Sequence, residues 1–242
     1  MTAIQTFPTL DVWADAAADQ LAAALEEGLR DPTQNGWAVF AGAGGSTPEP
    51  IYQRLSKLRS YSAWQHTFVT LVDERYVPET SPASNAALLK RTLLKGQAKG
   101  AEFLPLFRSA VTVDRAAALA THELSVELEN NRLDAVLLGM GEDGHICSMF
   151  PGSPTLTTLL TPGLKPAVYG VPAGRDGAAP PQERLTLNLP WLVSARRLVL
   201  ALTGAGKRAV FEREAAGDPA VNPIAALIAA NAPLEVFWTE AE

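Results

Sequence analysis

The fold class is decided by the stretch Leu133-Asp134-Ala135-Val136-Leu137-Leu138-Gly139-Met140-Gly141-Glu142-Asp143-Gly144-His145. Its first six residues predict a buried β-strand that runs directly into a glycine-rich turn. The same order, an apolar strand followed by a loop and a helical pattern, recurs along the chain. Strands that alternate with helices are typical of an α/β domain with a mainly parallel sheet.

The remaining elements follow from local hydrophobic spacing. Helical patterns are predicted at about 15–30, 48–58, 83–94, 114–129, 206–216 and 224–230. Strands are predicted at 37–40, 68–72, 103–107, 133–138, 167–171, 184–189, 198–202 and 234–238. The segment 151–181 is rich in Pro and Gly and predicts an irregular excursion around strand 167–171. Because no linker or repeat interrupts the pattern, residues 1–242 are predicted to form one domain.

Composition limits the classes of partner. The chain has 242 residues, of which 47% are hydrophobic and 19% are charged, and its net charge is −6. This apolar fraction excludes a wholly disordered chain, and the negative charge argues against a nucleic-acid partner. No apolar run is long enough for a membrane span, and because Met1-Thr2-Ala3-Ile4-Gln5 lacks a basic region followed by an apolar stretch, we do not expect secretion. With Cys147 as the single cysteine, we expect a cytoplasmic protein.

The first loop that follows a strand, Gly42–Pro48, is rich in glycine. Thr47 is predicted to be the N-cap of the next helix and Pro48 its first residue. Gly44, Gly45 and Ser46 then let the backbone approach an anion, with N–H groups and the helix dipole directed at it. The alternative is a capped helix after a tight turn, with no ligand.

A second loop begins with three consecutive charges, Asp73, Glu74 and Arg75, directly after an apolar strand. Asp73 and Arg75 are expected at the edge of the sheet, within reach of the first loop if the two strands are neighbours. The alternative is a solvated ion pair at the end of a strand.

The third loop formally matches the dinucleotide motif G-x-G-x-x-G, but two features oppose that interpretation. Glu142 and Asp143 would lie where a pyrophosphate binds, and no acidic residue follows at the distance needed to hold a ribose. We instead predict that Asp143 orients His145, whose neutral imidazole accepts a proton near pH 7. The alternative is a histidine with a purely structural role.

Other catalytic templates are absent from the sequence. There is no nucleophile elbow, and three histidines with one cysteine give no spacing typical of a metal site, so neither a metal nor another cofactor is expected. Arg184 opens a predicted strand and Lys207 a predicted helix. Each is either an ordinary surface cation or a group that faces the same anion as the first loop.

Five segments in order resemble the 6-phosphogluconolactonase family, a branch of the group that contains the glucosamine-6-phosphate deaminases. They are Gly44–Pro48, Asp73–Pro78 with Ser84-Asn85, Leu137–His145 with Phe150–Gly152, Glu183–Leu187, and Thr203–Lys207. The resemblance covers nearly the whole chain and implies a Rossmann-like three-layer α/β/α sandwich. It also implies hydrolysis of 6-phospho-D-glucono-1,5-lactone in the pentose phosphate pathway.

The resemblance also separates the two branches. The deaminases carry a Glu five positions after the histidine, and here that position is Phe150. Met149 and Phe150 replace the Asn-Glu pair typical of that branch, and an aromatic ring cannot relay a proton. One departure from the lactonase pattern is Ile146, where threonine is commoner, which removes a hydroxyl contact.

The roles implied for the site divide into catalysis and binding. We expect His145 to be the general base for water and then the acid for the leaving oxygen, with Asp73 or Asp143 orienting it or the water. Backbone donors around Gly141–Gly144, or Arg75, are expected to stabilise the oxyanion. The predicted substrate and phosphate ligands are Gly44, Gly45, Ser46, Thr47, Arg75, Gly144, Arg184 and Lys207.

Three alternative functions remain at this point. They are a sugar-phosphate isomerase or deaminase on the same scaffold, a non-catalytic sugar-phosphate sensor, and, more remotely, a serine esterase. The sequence leaves the oligomeric state open between a monomer and a small homo-oligomer.

Overall fold

The computed structural model describes residues 3–128, 132–174 and 181–241. Its helices are α1 Leu10–Arg30, α2 Glu49–Leu55, α3 Asn85–Thr92, α4 Val113–Glu127, α5 Leu156–Leu159, α6 Leu189–Val193, α7 Gly204–Ala215 and α8 Pro223–Ala229. Its strands are β1 Ile4–Phe7, β2 Ala38–Gly42, β3 Thr67–Leu71, β4 Asp73–Arg75, β5 Glu102–Phe103, β6 Ala135–Leu138, β7 Val168–Val171, β8 Arg184–Leu187, β9 Arg197–Thr203 and β10 Leu234–Thr239. Position 129, where the predicted helix 114–129 ends, lies outside the described residues.

The main sheet has seven strands in the order β1-β10-β9-β6-β2-β3-β5. Every pair of neighbours in it is parallel, which confirms the predicted α/β class with a mainly parallel sheet. From β2 the chain moves outward through β3 to β5, and from β6 it moves the other way through β9 to β10. The strand order therefore reverses between β2 and β6, where open α/β sheets bind their ligands.

The core explains why these segments are strands and helices. Every residue of β2, β3 and β6 is buried, as expected for strands covered by helices on both faces. Helix α1 buries Trp13, Leu21 and Leu25 together with several alanines, whose small side chains let it lie close to the sheet. The Thr9 hydroxyl accepts a hydrogen bond from the N–H of Val12 and so caps the helix, which begins five residues before the predicted start.

A second, three-stranded antiparallel sheet, β4-β8-β7, lies beside the main one and was not predicted. In its register Asp73 is opposite Thr186, and Arg75 is opposite Arg184. Because side chains alternate along a strand, Asp73 and Arg75 lie on one face of β4 and Glu74 on the other. This sheet brings two charged segments, distant in sequence, to the same place.

Several boundaries differ from the predictions. Thr47 is not the N-cap, because α2 begins at Glu49 and Pro48 occupies the capping position without a side-chain hydrogen bond. The predicted strand 184–189 ends at Leu187, and Leu189 already starts α6. The strand predicted at 103–107 is reduced to the two residues of β5. The short elements β1, α5 and α6 were missed because four or five residues carry little periodic signal.

Asp134 fixes the end of the sheet that lies away from the loops. Its buried carboxylate accepts hydrogen bonds from the Val39 N–H at 2.8 Å, Gln34 Nε2 at 2.9 Å and Arg196 Nε at 3.3 Å. The pKa of Asp134 is raised overall, because the effect of burial outweighs the hydrogen bonds from Val39 and Arg196 and the charges of the nearby arginines, which lower it. Asp134 thus joins the start of β2 to the start of β6 and has no part in the cleft described below.

The described residues contain no helix that could span a membrane. None of their helices combines the length and the apolar character that crossing a bilayer requires.

Candidate active site

A polar cleft of about 370 Å³ lies at the carboxyl ends of β2, β3 and β6, where the strand order reverses. It brings together most of the residues singled out from the sequence. Its lining comprises Ala43, Gly44, Gly45, Ser46, Thr47, Pro48, Asp73, Arg75, Asn85, Gly139, Met140, Gly141, Glu142, His145, Cys147, Arg184 and Lys207. Of the predicted site residues, Asp143 and Gly144 are not among them.

The loop after β2 supplies backbone donors. Gly44 lies so close to Asn85 that an added Cβ would be 1.9 Å from the Asn85 side-chain oxygen, and Gly45 has a left-handed φ of 93°. Gly45 and Ser46 are exposed to the cleft. Within the described ranges, no protein acceptor receives a hydrogen bond from the N–H groups of Gly44 to Thr47. This row of free donors before α2 fits an anion.

Glu74 lies on the face of β4 opposite to Asp73 and Arg75. The Glu74 carboxylate is fully buried and accepts hydrogen bonds from the N–H groups of Arg75, Asn85 and Ala86 and from the Ser84 hydroxyl. The pKa of Glu74 is raised overall, because the effect of burial outweighs these four hydrogen bonds, which lower it. Glu74 therefore fastens α3 to β4 on the side away from the cleft.

Asp73 points to the other side, into the cleft, but no contact with His145 is among its recorded bonds. Its Oδ2 accepts from the Ser148 hydroxyl at 2.6 Å and lies 3.7 Å from Arg184 Nη1. Asn85 Nδ2 donates to the Asp73 backbone oxygen at 2.9 Å and to Oδ1 at 3.3 Å. Of the two carboxylates expected to orient the base or the water, Asp73 therefore contacts Ser148, Asn85 and Arg184, and its place in the cleft leaves the water as its expected partner.

Arg75 and Arg184 form a pair of like charges across β4 and β8. Arg75 Nη1 donates to the Ala83 backbone oxygen at 2.6 Å, but the Nε atoms of Arg75 and Arg184 are buried without a hydrogen-bond partner. Burial lowers the pKa of Arg184, with Arg75 adding to the decrease and Asp73 opposing it. Two half-buried arginines whose buried Nε donors are unused, side by side in a cleft, indicate a site for an anion.

His145 and Asp143 form the predicted pair. His145 Nδ1 lies 2.5 Å from Asp143 Oδ1, and the His145 N–H donates to the same oxygen at 3.2 Å. The hydrogen bond from His145 lowers the pKa of Asp143, although burial raises it. Since an ionised carboxylate only accepts, in the neutral imidazole Nδ1 carries the proton and Nε2 is left with a lone pair. The imidazole can therefore accept a proton at Nε2.

Gly141 makes room for this pair. A Cβ at position 141 would lie 2.2 Å from His145 Nδ1 and 2.3 Å from Asp143 Oδ1. The substitution Gly141→Ala is therefore expected to separate the two groups and to lower kcat by about tenfold or more, because the base loses its orientation. The measurement is steady-state kinetics on the phosphorylated lactone that the resemblance implies as substrate, with thermal unfolding to check the fold.

Gly163→Ala is the matched control for this prediction. A Cβ at Gly163 would meet no atom within 4 Å, and its φ lies outside the left-handed region. Equal kinetics for the wild type and Gly141→Ala would show that the His145–Asp143 contact does not contribute to turnover.

Phe150 packs between His145 and Arg184. Its ring centroid is 4.3 Å from that of His145, and the Arg184 guanidinium lies 5.9 Å from the same centroid. Only 9% of Phe150 is exposed. The Phe150 ring therefore occupies the space against His145. In the deaminases, the residue at this position is the glutamate described in the sequence analysis.

The remaining predicted ligands divide into two groups. Lys207 lies in the first turn of α7 and donates from Nζ to the Met140 backbone oxygen at 2.6 Å, which leaves two ammonium protons.

Gly144 packs against Glu214, and its N–H donates to the Gly141 oxygen at 3.2 Å. The Gly141 N–H donates to the His145 oxygen at 2.8 Å. Both glycine N–H groups are thus used inside the turn, which removes them as oxyanion donors.

Two buried residues of the site had no clear signal in the sequence. Asn85 was quoted only as part of a motif, and its contact with Asp73 depends on the start of α3. Ser148 was considered only as a weak nucleophile, whereas here it donates to a carboxylate. Both roles depend on contacts between distant segments, which local spacing does not reveal.

Throughout the three described ranges, no group of three or more His, Cys, Asp or Glu side chains is arranged to hold a metal ion.

Comparison with known proteins gives a consistent set of matches. Residues 8–238 match the family model described as glucosamine-6-phosphate isomerases/6-phosphogluconolactonase. A 6-phosphogluconolactonase of Mesorhizobium japonicum is 39% identical over 93% of this chain and 88% of its own, and that of Rhizobium meliloti is 40% identical over 93% of each. The crystal structure of a 6-phosphogluconolactonase from Shewanella baltica superposes with a TM-score of 0.87 at 32% identity, covering 99% of this chain and 98% of the other.

Proposed function

The chain belongs to the glucosamine-6-phosphate isomerase/6-phosphogluconolactonase family, and we propose how it hydrolyses 6-phospho-D-glucono-1,5-lactone to 6-phosphogluconate in the pentose phosphate pathway. The observation that carries the mechanism is the combination of groups in one cleft: a histidine with a free Nε2, and two arginines with unused donors. The first suits proton transfer, and the second suits an anionic substrate.

In the proposed reaction, His145 Nε2 removes a proton from a water molecule while the water oxygen attacks the lactone carbonyl carbon. The tetrahedral intermediate collapses by breaking the bond between that carbon and the ring oxygen, which takes the proton from the imidazolium. Asp143 holds the ring and stabilises its charged form through Nδ1. General acid–base catalysis of this kind typically contributes about 10²–10⁴-fold in rate.

The phosphate of the substrate is proposed to bind the N–H groups of Gly44, Gly45, Ser46 and Thr47 together with Arg184. Lys207 lines the same cleft and adds positive charge. Because the N–H groups of Gly141 and Gly144 are already used, the oxyanion role falls to the remaining backbone donors of this turn, such as the N–H of Glu142 in the cleft lining, or to Arg75 or Lys207. Arg75 remains a candidate for the phosphate as well.

The function is tested with freshly generated lactone in a coupled assay, corrected for uncatalysed hydrolysis. We expect turnover well above the spontaneous rate and no release of ammonia from glucosamine 6-phosphate, because Phe150 occupies the space against His145. Ammonia release would support a deaminase, and tight binding of 6-phosphogluconate without turnover would support a sensor. Inactivation by a serine-directed phosphonate would support an esterase.

Arg184→Ala tests the anion site. Loss of a charged hydrogen-bond donor is expected to raise KM for the lactone by about tenfold or more and to change kcat much less. Arg197→Ala is the control, since Arg197 is similarly buried but pairs with Glu27 and Glu235 away from the cleft. An unchanged KM in Arg184→Ala would remove this residue from the substrate site.

Three broader proposals accompany this mechanism. Residues 1–242 form one domain, which is supported by the single family match over 8–238. The protein acts in the cytoplasm, which is supported by its single cysteine, unable to form an internal disulfide. It takes no nucleic-acid partner, which is supported by its net charge of −6.

A further inference from the structure

Ser148 connects the loop that carries the base to the small antiparallel sheet. It is fully buried, its N–H donates to Thr186 Oγ1 at 3.2 Å, and its hydroxyl donates to Asp73 Oδ2 at 2.6 Å. Asp73 and Thr186 are register partners on β4 and β8, so Ser148 binds both strands at one point. The preceding Cys147 has a left-handed φ of 52°, uncommon for a residue with a side chain, which turns the backbone at this point.

The Ser148 hydroxyl donates its hydrogen bond to Asp73 Oδ2, the carboxylate oxygen in the ion-pair contact with Arg184. Arg184 Nη1 is 3.7 Å from this oxygen, close enough for an ion pair but beyond hydrogen-bond distance, whereas the Ser148 hydroxyl donates to it at 2.6 Å. Asn85 Nδ2 occupies Oδ1 of the same carboxylate. Neutral donors therefore satisfy Asp73, and Arg184 keeps a buried Nε without an acceptor.

We propose that Ser148 is a positioning residue, which holds the Asp73 carboxylate and thereby keeps the Arg184 guanidinium free for the anionic group of the substrate. The proposal rests on the function above, in which Arg184 binds the phosphate of the lactone. Without the hydroxyl, Asp73 and Arg184 have the geometry to close into a direct hydrogen-bonded ion pair. A substrate would then have to compete with a buried carboxylate for the same donors.

The experiment measures the affinity of the full chain for 6-phosphogluconate by calorimetry, which does not depend on turnover. Ser148→Ala is expected to raise Kd for 6-phosphogluconate by about tenfold, the usual scale for losing one charged hydrogen bond. KM for the lactone should rise by a similar factor, with a much smaller change in kcat. Ser148→Thr, which restores a hydroxyl, should recover the affinity, and Ser148→Cys, a weaker donor of similar size, should give an intermediate value.

A double-mutant cycle separates positioning from general damage. In an Arg184→Ala background, Ser148→Ala should raise Kd for 6-phosphogluconate by less than about twofold, because the residue through which Ser148 acts is gone. Ser153→Ala is the matched control: Ser153 is also buried, and its hydroxyl pairs with Thr155 outside the cleft. Thermal unfolding of each variant checks the fold, and Ser148→Cys carries the test if Ser148→Ala does not fold.

The outcomes distinguish the two proposals. A Kd for Ser148→Ala within twofold of the wild type, or an equal loss in both Arg184 backgrounds, would overturn the role of Ser148 while leaving lactone hydrolysis intact. A wild type that binds 6-phosphogluconate and follows the cycle but does not hydrolyse the lactone would refute the proposed function alone.

Discussion

Replacing His145 with alanine is expected to lower kcat for lactone hydrolysis by about 10²–10⁴-fold, while KM changes little. The imidazole is the group in the cleft with a free proton-accepting nitrogen, and its orientation depends on Asp143. Its side chain is 28% exposed, so its removal leaves a modest gap at the surface of the cleft rather than a hole in the core. The loss should therefore affect activity far more than stability.

The measurement must subtract the spontaneous opening of the lactone, which otherwise masks a slow variant. His122→Ala is the matched control, because His122 lies exposed on α4, away from the cleft. Binding of 6-phosphogluconate should survive in His145→Ala, since the proposed phosphate ligands, which line the same cleft, do not include His145. Wild-type turnover by His145→Ala would assign the base to another group.

The second large effect concerns stability and comes from Glu74. Glu74→Ala would leave the buried N–H groups of Arg75, Asn85 and Ala86 and the Ser84 hydroxyl without their acceptor. Unsatisfied buried donors cost about 1–3 kcal/mol each, and the side chain also leaves a cavity. Because neighbouring losses are not additive, we expect the free energy of unfolding to fall by about 3–5 kcal/mol in all.

Urea unfolding followed by circular dichroism measures this change. Glu127→Ala is the control, since Glu127 is exposed at the end of α4 and should change the free energy of unfolding by less than about 0.5 kcal/mol. If Glu74→Ala is as stable as Glu127→Ala, water has replaced the carboxylate, and Glu74 does not hold α3 to β4.

The central part of the site was predictable because its signals are local. Apolar runs marked β2, β3 and β6, and parallel strands place the loops that follow them at one edge of the sheet. The pairing of His145 with Asp143 was also predictable, since the two residues are two positions apart and lie in the same turn. Short range in the sequence is what these features share.

The parts that escaped prediction depend on tertiary contacts. The triplet Asp73-Glu74-Arg75 has no strand pattern and is extended because it pairs with β8. Thr47 is a good capping residue by type, yet α2 starts two residues later, at Glu49. The donors of Gly141 and Gly144 look free in the sequence and are used by the fold of the turn itself.

The pairing of β4 with β8 also has a consequence for how the protein folds. Arg75 and Arg184 are register partners although about 110 residues separate them, so closing this contact carries a large loss of chain entropy. Contacts of such long range form late and slowly compared with those inside one helix or one βα unit. During synthesis, a nascent chain that does not yet contain residue 184 can already pair β2 with β3, but it cannot assemble the proposed anion site. We therefore expect ligand binding to appear in refolding only after most of the secondary structure has formed.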